Sequence, residues 1–127
     1  MVSITIQYGL PFVSVLLSAN KQTIKLPTVL LDTGSAACVF KTERLATIGV
    51  TPSGEDMIRF MTGIGGREGV VEKQIDTVEI GALRVSPFTI QIGALNYGFV
   101  LDGILGLDFL LKSGAHIDFK MLTIEIR

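Results

Sequence analysis

An all-β fold, mainly strand with one short C-terminal helix, is what the sequence predicts. Apolar and polar residues alternate with period two through most of the chain, the signature of half-buried strands. Turn signals such as Asn20-Lys21, Gly81-Ala82 and Ser86-Pro87 separate the alternating runs. One segment departs from alternation: Leu107 to Lys112 is a leucine-rich run that stops at Ser113-Gly114, as a short helix with a glycine end would.

Taken in order, Val2, Ile4, Ile6 and Tyr8 alternate with Ser3, Thr5 and Gln7 and predict a first strand. Gly9-Leu10-Pro11 interrupts it. Phe12 to Ala19, the Asn20-Lys21 turn and Gln22 to Leu26 predict a hairpin closed by Pro27. Thr28 to Leu31 is a short apolar run entering Asp32-Thr33-Gly34-Ser35, and Thr42 to Ile48 suits one or two helical turns ending at Gly49. Strands over Asp56 to Thr62 and Glu68 to Ile75 flank the tip Gly63-Ile64-Gly65-Gly66, which favours a mobile hairpin. Thr77 to Ile80, Leu83 to Val85 and Phe88 to Ile92 continue the β pattern, and Ala115 to Phe119 with Leu122 to Arg127 close the chain.

The 127 residues predict one domain, 1–127, with no linker, low-complexity segment or strong internal repeat. A chain of this size buries roughly two-thirds of its unfolded surface, enough for a core without covalent staples. One cysteine and one histidine leave no internal disulfide and too few ligands for the usual zinc arrangements, so neither metal nor cofactor is expected. Eleven Lys+Arg against twelve Asp+Glu, with no basic run, argue against a nucleic-acid partner. The longest apolar runs, Val13 to Leu17 and Ile104 to Leu111, fall far short of the roughly 20 residues that span a membrane. The N-terminus lacks the basic and continuous apolar regions of a signal peptide, which makes the cytoplasm the default expectation.

With so few other titratable side chains, acid-base chemistry near neutral pH falls to carboxylates. Asp32 is the one in an unusual place, after core-type Val29-Leu30-Leu31 and before small or polar Thr33, Gly34 and Ser35. A carboxylate there needs hydrogen bonds, which neighbouring hydroxyls and backbone N–H groups can supply. Asp-Thr-Gly alone is weak, since composition produces it in about one chain of this length in forty and it also reads as an ordinary turn. Cys38 reads as a small buried apolar residue. His116 reads as a strand start, Asp102-Gly103 as a turn, Asp108 as a helix N-terminal charge, and Asp118 and Glu125 as strand-surface charges.

Three segments together are more specific: Leu30-Leu31-Asp32-Thr33-Gly34-Ser35-Ala36, the glycine-tipped Met57 to Val71, and Asp102-Gly103-Ile104-Leu105-Gly106-Leu107-Asp108-Phe109-Leu110. In these the chain resembles the retropepsin-like aspartic proteases over nearly its whole length. The resemblance implies a closed, barrel-like acid-protease fold and an aspartic endopeptidase acting on peptide or protein substrates. Only one Asp-Thr-Gly is present, so it implies a homodimer in which each subunit contributes Asp32, supported by Thr33, Gly34 and Ser35. Ile104, Leu105 and Gly106 would pack beside that loop. Gly63, Gly65 and Gly66 would form the tip of a flap, and Ile58, Phe60, Met61 and Ile64 would line a pocket for hydrophobic side chains. The Ser35 hydroxyl, alanine in many viral relatives, would donate to the carboxylate and favour an acidic optimum. The terminal strands would interleave between subunits.

Two positions depart from the viral pattern. Ala36 and Leu107 stand where relatives often carry an ion pair, which points toward a cellular or bacterial member. Replacing such a pair by two apolar residues leaves the fold in no doubt. A reading from a different class is a peptide-binding or dimerisation module that keeps the fold without cleaving, and a third is a protease domain released from a longer polypeptide.

Overall fold

A computed structural model describes residues 1–63 and 66–126, with side chains outside 61–67. Its strands are β1 (Val2–Ser3), β2 (Thr5–Gln7), β3 (Leu10–Ala19), β4 (Gln22–Leu31), β5 (Val39–Lys41), β6 (Ile58–Gly63), β7 (Gly66–Ile75), β8 (Thr77–Ile80), β9 (Leu83–Val85), β10 (Phe88–Gly93), β11 (Gly103–Leu105), β12 (Ala115–Asp118) and β13 (Thr123–Ile126). Two short helices interrupt them, α1 (Thr42–Ala46) and α2 (Leu107–Ser113). The mainly β expectation holds, α1 falls within the helical turns expected over Thr42 to Ile48, and α2 is the expected C-terminal helix.

Asn20 and Lys21 both take positive φ, 52° and 61°, the backbone a two-residue type I′ hairpin turn requires between β3 and β4. β4 does not stop at Pro27. Pairing steps from Val13↔Val29 to Val15↔Leu26, leaving one extra residue on β4, and Pro27 sits in that bulge, where its missing N–H costs no ladder bond. The expected first strand is also two strands. β1 pairs with β13, and β2 with β3, so the chain changes sheets at buried Ile4.

Among the described residues the large sheet has ten strands in the order β6-β7-β10-β5-β11-β4-β3-β8-β9, with β2 also on β3. Among the described residues no pairing joins β6 to β9. The sheet nevertheless curls, because Val78, Ile80, Leu83 and Val85 from one end share a core with Ile75, Ile90 and Ile92 nearer the other. Phe109 and Leu110 of α2 enter the same core, and Phe88 meets Phe109 edge-on at 6.1 Å. Gly114, at φ 68°, ends α2 in the left-handed conformation that glycine adopts without a Cβ penalty.

The small sheet has the order β1-β13-β12. The chain's own ends pair, with Val2 opposite Ile124, and Ile124 is fully buried. β13 therefore has a neighbour on each side within one chain, while β1 and β12 are the edges of this sheet. Asp118 is no simple surface charge either: its Oδ1 accepts the Lys120 and Met121 N–H groups, both at 2.9 Å, and shapes the turn into β13. No helix among the described residues is long and apolar enough to cross a membrane.

Candidate active site

Two parallel strands, β4 and β11, run side by side with Leu30 opposite Ile104 and Leu31 opposite Leu105. β4 ends in Leu31, and Asp32 continues its line by donating its N–H to the Leu105 carbonyl at 3.0 Å. The chain then turns away. Ser35 N–H returns to the Asp32 carbonyl at 3.2 Å, and Gly34 N–H donates to Asp32 Oδ1 at 2.9 Å. This Asx-type turn leaves the Asp32 carboxylate half-buried with Thr33 and Gly34 exposed beside it. A Cβ at Gly34 would lie 3.3 Å from Asp32 Oδ1 and press on the carboxylate the turn presents.

The turn rests on the start of α2. Leu107 N–H donates to the Ser35 carbonyl at 2.7 Å. A Cβ at Gly106 would lie 2.5 Å from the Ala37 carbonyl oxygen and 2.9 Å from that of Ser35, so only glycine permits this approach. Beneath it, the buried Cys38 thiol donates to Asp108 Oδ1 at 3.2 Å while its sulfur accepts the Gly106 N–H at 3.3 Å. Asp108 also accepts the Phe109 N–H at 2.8 Å and the Cys38 N–H at 3.3 Å. Burial, then the Asp108 charge, push the Cys38 thiol well above its ordinary pKa. Cys38 is thus more than a small apolar filler: it joins α2 to the Asp32 loop.

Two sequence expectations change here. The Ser35 hydroxyl does not reach the carboxylate; it donates to the Ala37 carbonyl at 2.8 Å, two residues on, so the acidic optimum argued from it loses its basis. Asp102-Gly103 is not a turn. Asp102 is buried at the approach to β11, exchanges backbone hydrogen bonds with Thr28 at 2.8 Å and Lys41 at 2.8 Å, accepts the Thr28 N–H on Oδ2 at 3.1 Å, and has Arg44 Nε 3.4 Å from Oδ1. It ties α1 to the strand that carries Asp32.

β6 and β7 form a hairpin from Ile58↔Val71 to Gly63↔Gly66. Ile58 and Phe60 are 63% and 61% exposed. The expectations for Ile64, Gly65 and the Met61 side chain lie outside the described residues. At the base, Lys73 Nζ pairs with Asp56 Oδ1 at 2.8 Å, which holds that carboxyl below its usual range, and β6 starts at Ile58 rather than at the expected Asp56.

Sequence reasoning missed the segment between β10 and β11. Tyr97 and Phe99 pack there on a second core cluster of Phe12, Val39, Val70, Leu95, Leu101 and Ile104. Leu30, two residues before Asp32 on β4, packs on this cluster as well. Burial, then the charges of Glu68 and Asp32, push the Tyr97 phenol up. The ring thus senses both a β7 acid and the Asp32 carboxylate. Aromatic residues at 97 and 99 were the available signal. No group of three or more His, Cys, Asp or Glu among the described residues could hold a metal ion.

The arrangement therefore offers one half-exposed carboxylate, oriented by a backbone N–H, at the end of a strand whose Leu30 packs on the same apolar cluster as Val70 of the hairpin. Comparison with curated proteins finds no match. A family model described as aspartyl protease matches residues 15–109, spanning the Asp32 turn, the hairpin and the start of α2, and the chain belongs to that family, in the retropepsin-like clan.

Proposed function

We propose that the chain is the one-domain, barrel-like subunit of a homodimeric aspartic endopeptidase, with Asp32 of each copy meeting across a twofold axis. The observation that carries this reading is the single Asp32 carboxylate, half-exposed and held through Oδ1 by Gly34 N–H, in a chain with one Asp-Thr-Gly. Two carboxylates about 3 Å apart repel by several kcal/mol at an effective dielectric near 20, and so share one proton. The charged one takes a proton from a bound water as that water attacks the scissile carbonyl. The protonated one donates to the developing oxyanion, and no covalent intermediate is needed.

In this reading Thr33 lies at the subunit contact, Gly34 admits the substrate backbone, Ile104, Leu105 and Gly106 support the loop, and the β6–β7 hairpin is the flap. Exposed Ile58 and Phe60 favour hydrophobic residues around the cleaved bond. The purified chain and an Asp32→Asn variant, incubated with a diverse peptide mixture from pH 3 to 8, test this by mass spectrometry of new termini. Cleavage should fall by about 10³-fold or more in the variant, and specific activity should rise with protein concentration. A folded dimer that cleaves nothing would overturn the reading. A second reading is a peptide-binding module that keeps the fold: β1 already pairs with β13 of the same chain, so no second subunit is needed to cover that edge. Such a module would bind peptide at every concentration and release no new termini.

A further inference from the structure

The segment joining β10 to β11 carries Tyr97 and Phe99 onto the apolar cluster that Leu30, two residues before Asp32, also joins, yet it has no strand partner among the described residues. What fixes it is a side chain from the hairpin. Glu68, on β7, places Oε1 2.8 Å from the Ala94 nitrogen and 3.0 Å from the Leu95 nitrogen, accepting both N–H groups. We propose that Glu68 is a positioning residue that locks the 94–100 segment to the hairpin and thereby sets the wall of the cleft beside Asp32.

Three independent features support this. First, Leu95 is buried at 1% exposure with φ 52°, a left-handed backbone that a leucine rarely takes and that must be held by its surroundings. A carboxylate accepting two consecutive N–H groups is suited to hold it, because charge-assisted bonds are roughly twice as strong as neutral ones. Second, the residue before the clamp is Gly93. A Cβ there would lie 3.3 Å from Glu68 Oε1 and 2.9 Å from Val70 Cγ1, so the site is shaped to admit that carboxylate. Third, both ends of the clamp feed one apolar cluster. Val70 follows Glu68 by two residues, Leu95 is the clamped residue, and Tyr97 and Phe99 pack on them.

Phe99 extends the wall outward, with its ring 6.4 Å from Phe12 and 5.6 Å from exposed Tyr8. A substrate chain passing between hairpin and Asp32 runs along this aromatic face, which suits an extended peptide carrying a bulky apolar or aromatic side chain. That substrate role rests on the peptidase reading. The clamp itself does not, and the test separates the two.

The test uses the whole chain with Tyr8→Phe, leaving Tyr97 as the sole tyrosine, and compares it with Glu68→Gln and Glu68→Ala on that background. Glutamine keeps a carbonyl acceptor without the charge. Amide exchange at Ala94 and Leu95 should accelerate by about tenfold or more in Glu68→Ala and by less in Glu68→Gln. Tyrosinate absorbance should show the Tyr97 midpoint falling in both variants, because a negative charge beside the phenol is gone. For a cleaved peptide, KM should rise by about tenfold in Glu68→Ala and by about two- to threefold in Glu68→Gln, with kcat changed less than about twofold. Unchanged exchange and an unchanged Tyr97 midpoint in a folded Glu68→Gln protein would overturn the clamp, even where Glu68→Ala fails to fold. Faster exchange with an unmoved KM would overturn the role in the cleft. A parent protein that cleaves no peptide would sink the peptidase reading, while exchange and phenol titration would still decide the clamp.

Discussion

The Asp32 turn and the β6–β7 hairpin are built differently. The Asp32 turn sits on α2 through backbone contacts so close that only glycine fits, backed by a buried thiol-carboxylate link. The β6–β7 hairpin exposes Ile58 and Phe60 and is tied down by polar side chains: Glu68 to the 94–95 backbone, Arg59 to Glu72, Lys73 to Asp56. Close backbone packing over a buried link resists local opening, whereas ties made by side chains open locally at smaller cost. In the proposed peptidase, holding one carboxylate in place while admitting a substrate chain would draw on both kinds of support.

The sharpest way to break the comparison is Gly106→Ala. Gly106 has φ −92°, which any residue adopts, so the whole cost comes from the Cβ meeting the Ala37 and Ser35 carbonyls. Backbone cannot step aside as a flexible side chain can, and we expect about 3 kcal/mol of lost stability. For a chain of this size that is a fall in Tm on the order of 10 °C, read by calorimetry. A wild-type Tm would show that the loop floor is looser than its geometry implies.

A smaller effect comes from Cys38, and it depends on pH. Its thiol is raised in the folded state above the ordinary value of 9.0, by burial first and the Asp108 charge second. A raised folded pKa means that the unfolded chain releases the proton first. The contribution is complete below the unfolded thiol's pKa and declines as pH rises from there toward the folded value, by up to about 1.4 kcal/mol per pH unit. Denaturant unfolding from pH 7 to 10.5 should therefore show an alkaline loss that Cys38→Ala removes. Parallel pH curves for the two proteins would contradict the assignment.

The same contrast explains what the sequence revealed. The β3–β4 hairpin, strands β8 to β10 and α2 with its Gly114 end were legible because their signals are local: alternation, turn pairs, a glycine stop. β5 and β11 were not. Each has three residues and is mostly or wholly buried, so alternation vanishes and a short apolar run is all that remains. Asp32 stood out because a carboxylate follows a core strand, but Asp102, equally acidic and followed by glycine, imitates a turn while being buried. Its partners Thr28 and Arg44 lie 74 and 58 positions away along the chain, beyond the reach of any local pattern. Glu68 was hidden for the same reason, since its partners Ala94 and Leu95 are brought to it only by the pairing of β7 with β10.

The smallest expected effect sharpens the comparison from the hairpin side. Arg59 Nε and Glu72 Oε1 are 2.9 Å apart, with side chains 52% and 30% exposed, so solvent screens the pair heavily. Arg59→Ala should change global stability by less than about 0.5 kcal/mol. Global stability is nevertheless the wrong place to look for its role. The pair bridges β6 to β7 across the hairpin, and its loss should appear as faster amide exchange across the Ile58↔Val71 and Phe60↔Gly69 pairs, with exchange at Asp32 and Leu105 unmoved. Exchange that accelerates equally in both places would mean that hairpin and loop floor open as one unit, and the division between a rigid floor and a separately yielding hairpin would fail.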